Sequence, residues 1–192
     1  MGKDPDRDLP FFFTKPTDAV IDSGTTIPYP PETNNLHYEI ELTVAIGGEG
    51  FRVSQDNALH LVFGYAIGID LTRRDLQFEA RDAGRHWDWG KAFDLSAPIG
   101  PIRRLDTFEH PVSARIWLDV NGSVKQDANI QDLIWSVPEL IVAISRSMTI
   151  KPGDLIMTGT PAGVSATGPG DVVTGGIDGV GRIQITIGPP RT

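Results

Sequence analysis

Glu39 and Glu41 stand two apart in a stretch that alternates apolar and polar residues, HYEIELTVAI at 37–46. In an extended chain such residues share a face, about 6.5–7 Å apart. Like charges that close repel each other unless a cation or water separates them. A third carboxylate, Asp70, ends the apolar run GYAIGID at 64–70. Three carboxylates would suit a hard cation, Mg²⁺ or Mn²⁺, with water in the open positions. From spacing alone the favoured reading is instead the solvated face of an edge strand followed by a turn aspartate, since E-x-E is common on exposed strands. Lys91 lies in WDWGKAFD, among Trp87, Trp89 and Phe93. A partly desolvated Lys in that setting would place its charge usefully against an anionic intermediate, although a lone Lys is usually a surface residue. Thr158-Gly159-Thr160-Pro161-Ala162-Gly163 offers hydroxyls and backbone N–H groups that could hold a carboxylate or carbonyl oxygen, or it is a glycine turn. His37 shares a face with Glu39 and could support it. The other histidines, His60, His86 and His110, are scattered, and no Ser/His/Asp arrangement can be argued.

The elements that must position these residues are short. The run 11–16 (FFFTKP) is β-prone and closed by a proline. Asp22-Ser23-Gly24 and Pro28-Tyr29-Pro30-Pro31 read as turns or extended edges. Residues 37–46 form a strand, and Ser54 caps a short helix over 54–63. Residues 64–71 form an apolar strand, and 72–83 form a helix stopped by Gly84. Asn121-Gly122 predicts a type I′ hairpin. Ser136-Val137-Pro138-Glu139 fits a capping box opening a helix to about Ser147, with Leu140, Ile141, Ile144 and Met148 spaced for burial. Short β segments follow at 155–160, 172–174 and 182–187. This is a β-rich α+β chain with a few peripheral helices, read as one domain over 1–192.

Composition narrows the chemistry. The 192 residues carry a formal net charge of −8 and no cysteine. Disulfides, thiolate zinc sites and a cysteine nucleophile are excluded. With no basic cluster, nucleic acid and anionic membranes are not expected partners. Anionic small molecules stay open, because a bound cation can reverse the local field. Residues 1–10 are charged and turn-rich with no apolar core, so they are not a signal peptide; no window approaches a membrane span, and the cytoplasm is the expected location.

Six motifs stand in order along nearly the whole chain: LHYEIEL (36–42), GYAIGIDLTRRDLQ (64–77), GKAFD (90–94), LDVNG (118–122), GDLIMTGTPAGV (153–164) and GGIDGVG (175–181). Together with the Glu39-x-Glu41…Asp70…Lys91 spacing, they resemble the fumarylacetoacetate hydrolase family. Within it the set looks most like the short bacterial acylpyruvase branch, which includes the fumarylpyruvate hydrolases of gentisate breakdown. The resemblance implies a mixed β-sandwich roll, usually a homodimer, with Mg²⁺ or Mn²⁺ held by Glu39, Glu41 and Asp70. It implies Lys91 stabilising an oxyanion or enolate. It puts Arg74 and Gln77 near the substrate and Thr160 on a substrate carboxylate or carbonyl. The implied substrate is a 2,4-diketo acid, cleaved by hydrolysis of a C–C bond. The implied alternatives are oxaloacetate decarboxylation or tautomerisation on the same site, or a catalytically silent keto-acid binder. Family members also carry a Tyr-x-x-His-x-x-Glu-like stretch ahead of the segment that aligns with Met1-Gly2. Its His–Glu pair sits on a lid and activates water. Here the sequence begins after that stretch. The expectation is a start assigned too late, with Met1-Gly2-Lys3 continuing a lid helix into a loop; a shortened chain or a different base are the alternatives.

Overall fold

The structure, a computed structural model, describes residues 8–190. The Met1-Gly2-Lys3 start, expected to continue a lid helix, lies outside the described residues. After a 3₁₀ turn at Thr17–Ala19 come β1 (Val20–Asp22), β2 (Thr26–Tyr29), β3 (Leu36–His37) and β4 (Ile40–Ile46). Helix α1 (Gln55–Ala58) and a 3₁₀ turn at Leu59–Leu61 lead into β5 (Val62–Ile69). Then follow β6 (Thr72–Arg73), α2 (Arg74–Asp82), α3 (Asp88–Lys91), β7 (Ala97–Ile99) and β8 (Arg103–Arg104). The chain continues through β9 (Arg115–Val120), β10 (Ser123–Asn129), α4 (Val137–Ser145), β11 (Leu155–Met157), β12 (Val172–Ile177) and β13 (Gly181–Pro190).

One sheet has the order β1-β7-β5-β4-β11, with β8 also on β5; a second has the order β10-β9-β12-β13-β2; β3 and β6 form a two-stranded ribbon. The β1/β7 and β13/β2 pairs are parallel and the others antiparallel. Ile40, Leu42, Val44, Ile67 and Ile69 from the first sheet join Leu118, Val173, Ile183, Ile185 and Ile187 from the second in one apolar cluster. A Cβ on Gly175 of β12 would lie 2.4 Å from Ile40 Cδ1, so the sheets approach closely there. This is the mixed, strand-rich sandwich that the motifs imply.

Several local readings hold. Asn121 and Gly122 both have positive φ, at 53° and 78°, as a type I′ turn requires. The capping box is formed, with the Glu139 carboxylate accepting from the Ser136 backbone N–H at 2.8 Å. Gly84 stops α2 with φ of +63°.

Others differ. HYEIELTVAI is not one strand: the chain leaves regular structure at 38–39, between β3 and β4. Nor is β4 an edge. It lies between β5 and β11, and all seven of its residues are buried. The run 11–16 forms no strand, because its side chains serve elsewhere: Phe11 meets Trp87 edge-on at 5.0 Å and Lys15 reaches inward. The helix expected over 54–63 ends early because Val62 pairs with Ile46 in the sheet. Ser54 does not cap the backbone; its hydroxyl accepts from the Asn57 side chain. Helix α4 ends at Ser145, so Met148 leaves its apolar face and is exposed.

Gly64 in β5 is a point where no side chain fits, since a Cβ would lie 2.3 Å from the Arg103 carbonyl oxygen. Gly64→Ala should destabilise the protein by about 1–3 kcal/mol through forced backbone displacement. Thermal melting should show this as a Tm lowered by about 2–4 °C for each kcal/mol; an unchanged Tm would count against the close β5–β8 approach.

Candidate active site

The β4–β5 ladder brings the acidic residues together. Ile40 pairs with Ile69 and Glu41 with Gly68, and the Asp70 N–H donates to the Glu39 carbonyl at 2.8 Å. The antiparallel register therefore sets Glu39 opposite Asp70, with side chains on one face. Glu41 is two residues along that face, and its cross-strand partner is Gly68, where a Cβ would lie 2.5 Å from Thr43 Oγ1 and 2.6 Å from Met157 Cε. Carboxylate oxygens of Glu39, Glu41 and Asp70 all lie within 4.8 Å of one another, and the three residues are buried.

Among the described residues, three cationic side chains meet this cluster. Lys91 Nζ donates to Glu39 Oε2 at 2.8 Å, Asp70 Oδ2 at 2.5 Å and Thr72 Oγ1 at 2.6 Å. Lys15 Nζ lies 2.8 Å from Asp70 Oδ1 and donates to the carbonyls of Lys91 at 2.6 Å and Leu71 at 3.1 Å. Arg74, at the start of α2, pairs with Glu39 Oε1 and donates to Gln77 Oε1 at 2.5 Å. Arg74 Nε also faces His37 Nδ1 at 3.4 Å, which leaves the ring hydrogen on Nε2, 2.9 Å from Asn35 Oδ1. Close helix packing fixes Lys91: a Cβ on the preceding Gly90 would lie 2.9 Å from the Gln77 backbone nitrogen.

The cations are not shared equally. Among the described residues, Glu39 and Asp70 each hold two cationic partners, whereas Glu41 Oε2 accepts only the Gly159 N–H, at 2.6 Å. Burial, reinforced by the Asp70 charge, pushes the Glu41 carboxyl up to about 8. Burial also acts to raise Asp70, but Lys15 and Lys91 outweigh it and hold Asp70 below the usual carboxylate range. Burial and then the Arg74 charge lower His37 to about 4, so its ring is neutral near pH 7. A buried all-carboxylate donor set, one member of which lacks a cationic partner among the described residues, fits a hard divalent cation held by Glu39, Glu41 and Asp70.

The structure gathers Glu39, Glu41, Asp70, Lys91, Arg74 and Gln77 at one place. Gln77 spends its side-chain oxygen on Arg74, and so braces that residue. Thr160 follows Gly159, and its hydroxyl accepts from Gln126 Nε2 at 2.8 Å. Trp89 does not shield Lys91, being 78% exposed; the apolar neighbours are elsewhere, with the Phe13 ring centred 4.8 Å from Lys91 Nζ. Sequence reasoning missed Lys15, Thr72 and Gln126. Lys15 carried a usable signal, a lone lysine between three phenylalanines and a proline, the same pattern that marked Lys91. Nothing in the sequence marked Gln126, which a bulge in β10 turns inward.

The chain matches the fumarylacetoacetate (FAA) hydrolase C-terminal family over residues 1–188. It is 45% identical to a fumarylpyruvate hydrolase from Ralstonia sp over 98% of this chain and 99% of that protein. It is 38% identical to a mitochondrial oxaloacetate tautomerase from Rattus norvegicus, covering 93% of this chain and 80% of the relative. The crystal structure of a fumarylpyruvate hydrolase from Pseudomonas aeruginosa, in complex with Mn²⁺ and pyruvate, is similar with a TM-score of 0.95 and 47% identity, over 98% of this chain and 82% of the other. A match over nearly the full chain, on a fold that builds the acidic cluster from the motif residues, leaves one conclusion: the chain belongs to the fumarylacetoacetate hydrolase family.

Proposed function

We propose that this chain is a divalent-metal-dependent acylpyruvate hydrolase that cleaves fumarylpyruvate to fumarate and pyruvate, in the gentisate route of aromatic breakdown. The observation that carries the reading is the buried Glu39–Glu41–Asp70 cluster, with Lys91 bound across two of its members. Likeness to fumarylpyruvate hydrolases, one of them solved with Mn²⁺ and pyruvate, supports this substrate class. Glu39, Glu41 and Asp70 would hold Mg²⁺ or Mn²⁺. When bound, such a cation supplies Lewis-acid polarisation of adjacent oxygens on a 2,4-diketo acid.

The chain's own groups do the remaining work. Water adds to C4, and the C3–C4 bond breaks. The electron pair passes to C3 as the enolate of pyruvate, which then takes up a proton, and the acyl fragment leaves as fumarate. Lys91 would place its ammonium where the enolate oxygen gains charge. Lys15, through the Lys91 carbonyl and Asp70, holds that ammonium in register with the carboxylates. Arg74, braced by Gln77, would orient the substrate from the far side of Glu39, and Thr160 would take a carboxylate or carbonyl oxygen. Among the described residues no helix is long and apolar enough to cross a membrane, and a cytoplasmic location is part of this reading. A homodimer is part of it too: Phe63, Ile102 and Val112 leave large apolar side chains exposed for a second copy to cover.

The oxaloacetate tautomerase relative favours a second reading, enol–keto interconversion of oxaloacetate on the same residues. Incubation with Mg²⁺ and fumarylpyruvate should release one pyruvate per substrate, followed by coupled NADH oxidation with lactate dehydrogenase. Turnover of oxaloacetate in preference to fumarylpyruvate would hand the site to the second reading. Absence of turnover, with retained keto-acid binding, would leave a binding protein.

Lys91→Met should lower kcat for fumarylpyruvate by about 10²–10³-fold, the usual loss when one preorganised charge-stabilising donor is removed. Steady-state kinetics would show it, and an unchanged kcat would remove Lys91 from the reaction.

Metal uptake should be proton-linked. Without metal, Glu41 titrates near pH 8, so it is mostly protonated at pH 7. Binding a cation through its carboxylate must displace that proton, and apparent Mg²⁺ affinity should rise with pH up to about 8. Calorimetry at pH 7 in buffers of different ionisation enthalpy should detect close to one proton released per cation. Zero protons would mean that Glu41 is not a ligand.

A further inference from the structure

Gln126 reaches the site through an irregularity in the β9–β10 ladder. The register shifts between Val124 and Gln126, so Lys125 bulges and the next side chain turns inward. Gln126 is fully buried while Lys125 and Asp127 beside it stay exposed. The loop that carries Thr160 is pressed onto this bulge. Gly163 has φ of +102°, and a Cβ there would lie 2.1 Å from the Lys125 carbonyl oxygen.

The Gln126 amide has one permitted orientation. Its Oε1 accepts from the Ile40 N–H at 3.0 Å, and its Nε2 donates to the Pro161 carbonyl at 2.8 Å. Turned over, it would set N–H against N–H and oxygen against oxygen at those two contacts. Backbone groups alone therefore fix the amide, and its second N–H points at Thr160 Oγ1, 2.8 Å away. The Thr160 oxygen must accept there. Its own hydrogen is left to point elsewhere, and among the described residues no acceptor takes it. Accepting one bond also polarises the O–H and strengthens it as a donor. Gly159, one residue before, gives its N–H to Glu41, so the loop that carries this hydroxyl is tied to the carboxylate cluster.

We infer that Gln126 sets Thr160 as a directed hydrogen-bond donor for an anionic oxygen of the substrate, selecting ligands that present a carboxylate to this loop over ligands that present a donor. Gln126 is a positioning residue that acts through Thr160. The inference rests on the proposed 2-keto acid substrate and adds to it a polarity at one defined contact. A ligand whose group cannot accept leaves a polarised, partly buried donor unpaired, which is the stronger form of discrimination.

The test measures pyruvate binding to the Mg²⁺-loaded full chain by calorimetry. Gln126→Glu keeps the side-chain shape but accepts the Thr160 hydrogen, turning the hydroxyl around; Thr160→Val removes the hydroxyl. Each should weaken pyruvate binding by about 10-fold or more, the scale of a hydrogen bond to a charged group. The double variant should be no weaker than either single one, because both remove the same contact. Thr160→Ser should restore most of what Thr160→Val loses. Mg²⁺ affinity should stay the same in Thr160→Val, Thr160→Ser and Gln126→Met, which add no charge, and a general loosening of the site would not allow that. Should Gln126→Glu fail to fold, Gln126→Met removes the amide without burying a charge and should give the same non-additivity with Thr160→Val. Unchanged pyruvate affinity in Thr160→Val, or fully additive losses in the double variant, would overturn the inference while leaving hydrolysis intact. If the unsubstituted chain binds no 2-keto acid, the proposed function and this inference fall together.

Discussion

Glu39 and Asp70 face each other across an antiparallel ladder inside the protein, and much of the site follows from that pairing. Opposed like charges in a sheet are unfavourable even at a surface. Buried, they are tolerable only with cations supplied from other elements. The cations come from three places in the chain: Lys15 from the segment before β1, Arg74 from the head of α2 and Lys91 from the end of α3. Each must arrive with its charge at hydrogen-bond distance, which constrains how those segments pack. The tight Gly90–Gln77 contact is one result of that constraint.

The same electrostatics separates the three carboxylates into two kinds. Glu39 and Asp70 are anions compensated by protein cations. Among the described residues Glu41 has only a backbone N–H, and it is raised far above its ordinary range. A site with all three fully neutralised by lysine and arginine would have little need of a metal. A site with none neutralised would be hard to fold before a metal arrived. The observed arrangement lies between these limits. It is compensated enough to assemble and retains one carboxylate whose ionisation awaits a further positive charge.

The β character of the chain, the Asn121-Gly122 hairpin, the capping box at Ser136 and helix α2 were legible because each is a local rule of turn chemistry, capping or periodicity. The acidic residues were visible as candidates, but their burial was not. Alternation along 37–46 states that two faces differ, and it does not state what covers the polar one. Here β4 is central, and its polar face is covered by side chains from α2, α3 and the segment around Lys15, all distant in sequence. The six ordered motifs supplied what the spacing alone left open. The strand expected at 11–16 failed for a related reason: FFFTKP has strand-like composition, but its aromatic rings and Lys15 are used against Trp87 and the carboxylate cluster.

Gln126 shows where local reading ends. A single residue of bulge reverses the facing of every later side chain in a strand. That reversal converts a residue in an ordinary polar strand, SVKQDAN, into the buried link between β4 and the Thr160 loop. The glycine that accepts the bulge, Gly163, lies 37 residues away in the numbering and belongs to the loop being positioned. The two features need each other: without the bulge the amide faces solvent, and with a side chain at Gly163 the loop cannot approach. The acidic cluster belongs to the first sheet, and the loop beside it is held between that sheet, through Thr158 on the Leu42 carbonyl, and Gln126 of the second. Close packing of those sheets at Ile40 and Gly175 brings the buried carboxylates and the amide that bonds the Thr160 hydroxyl into one region.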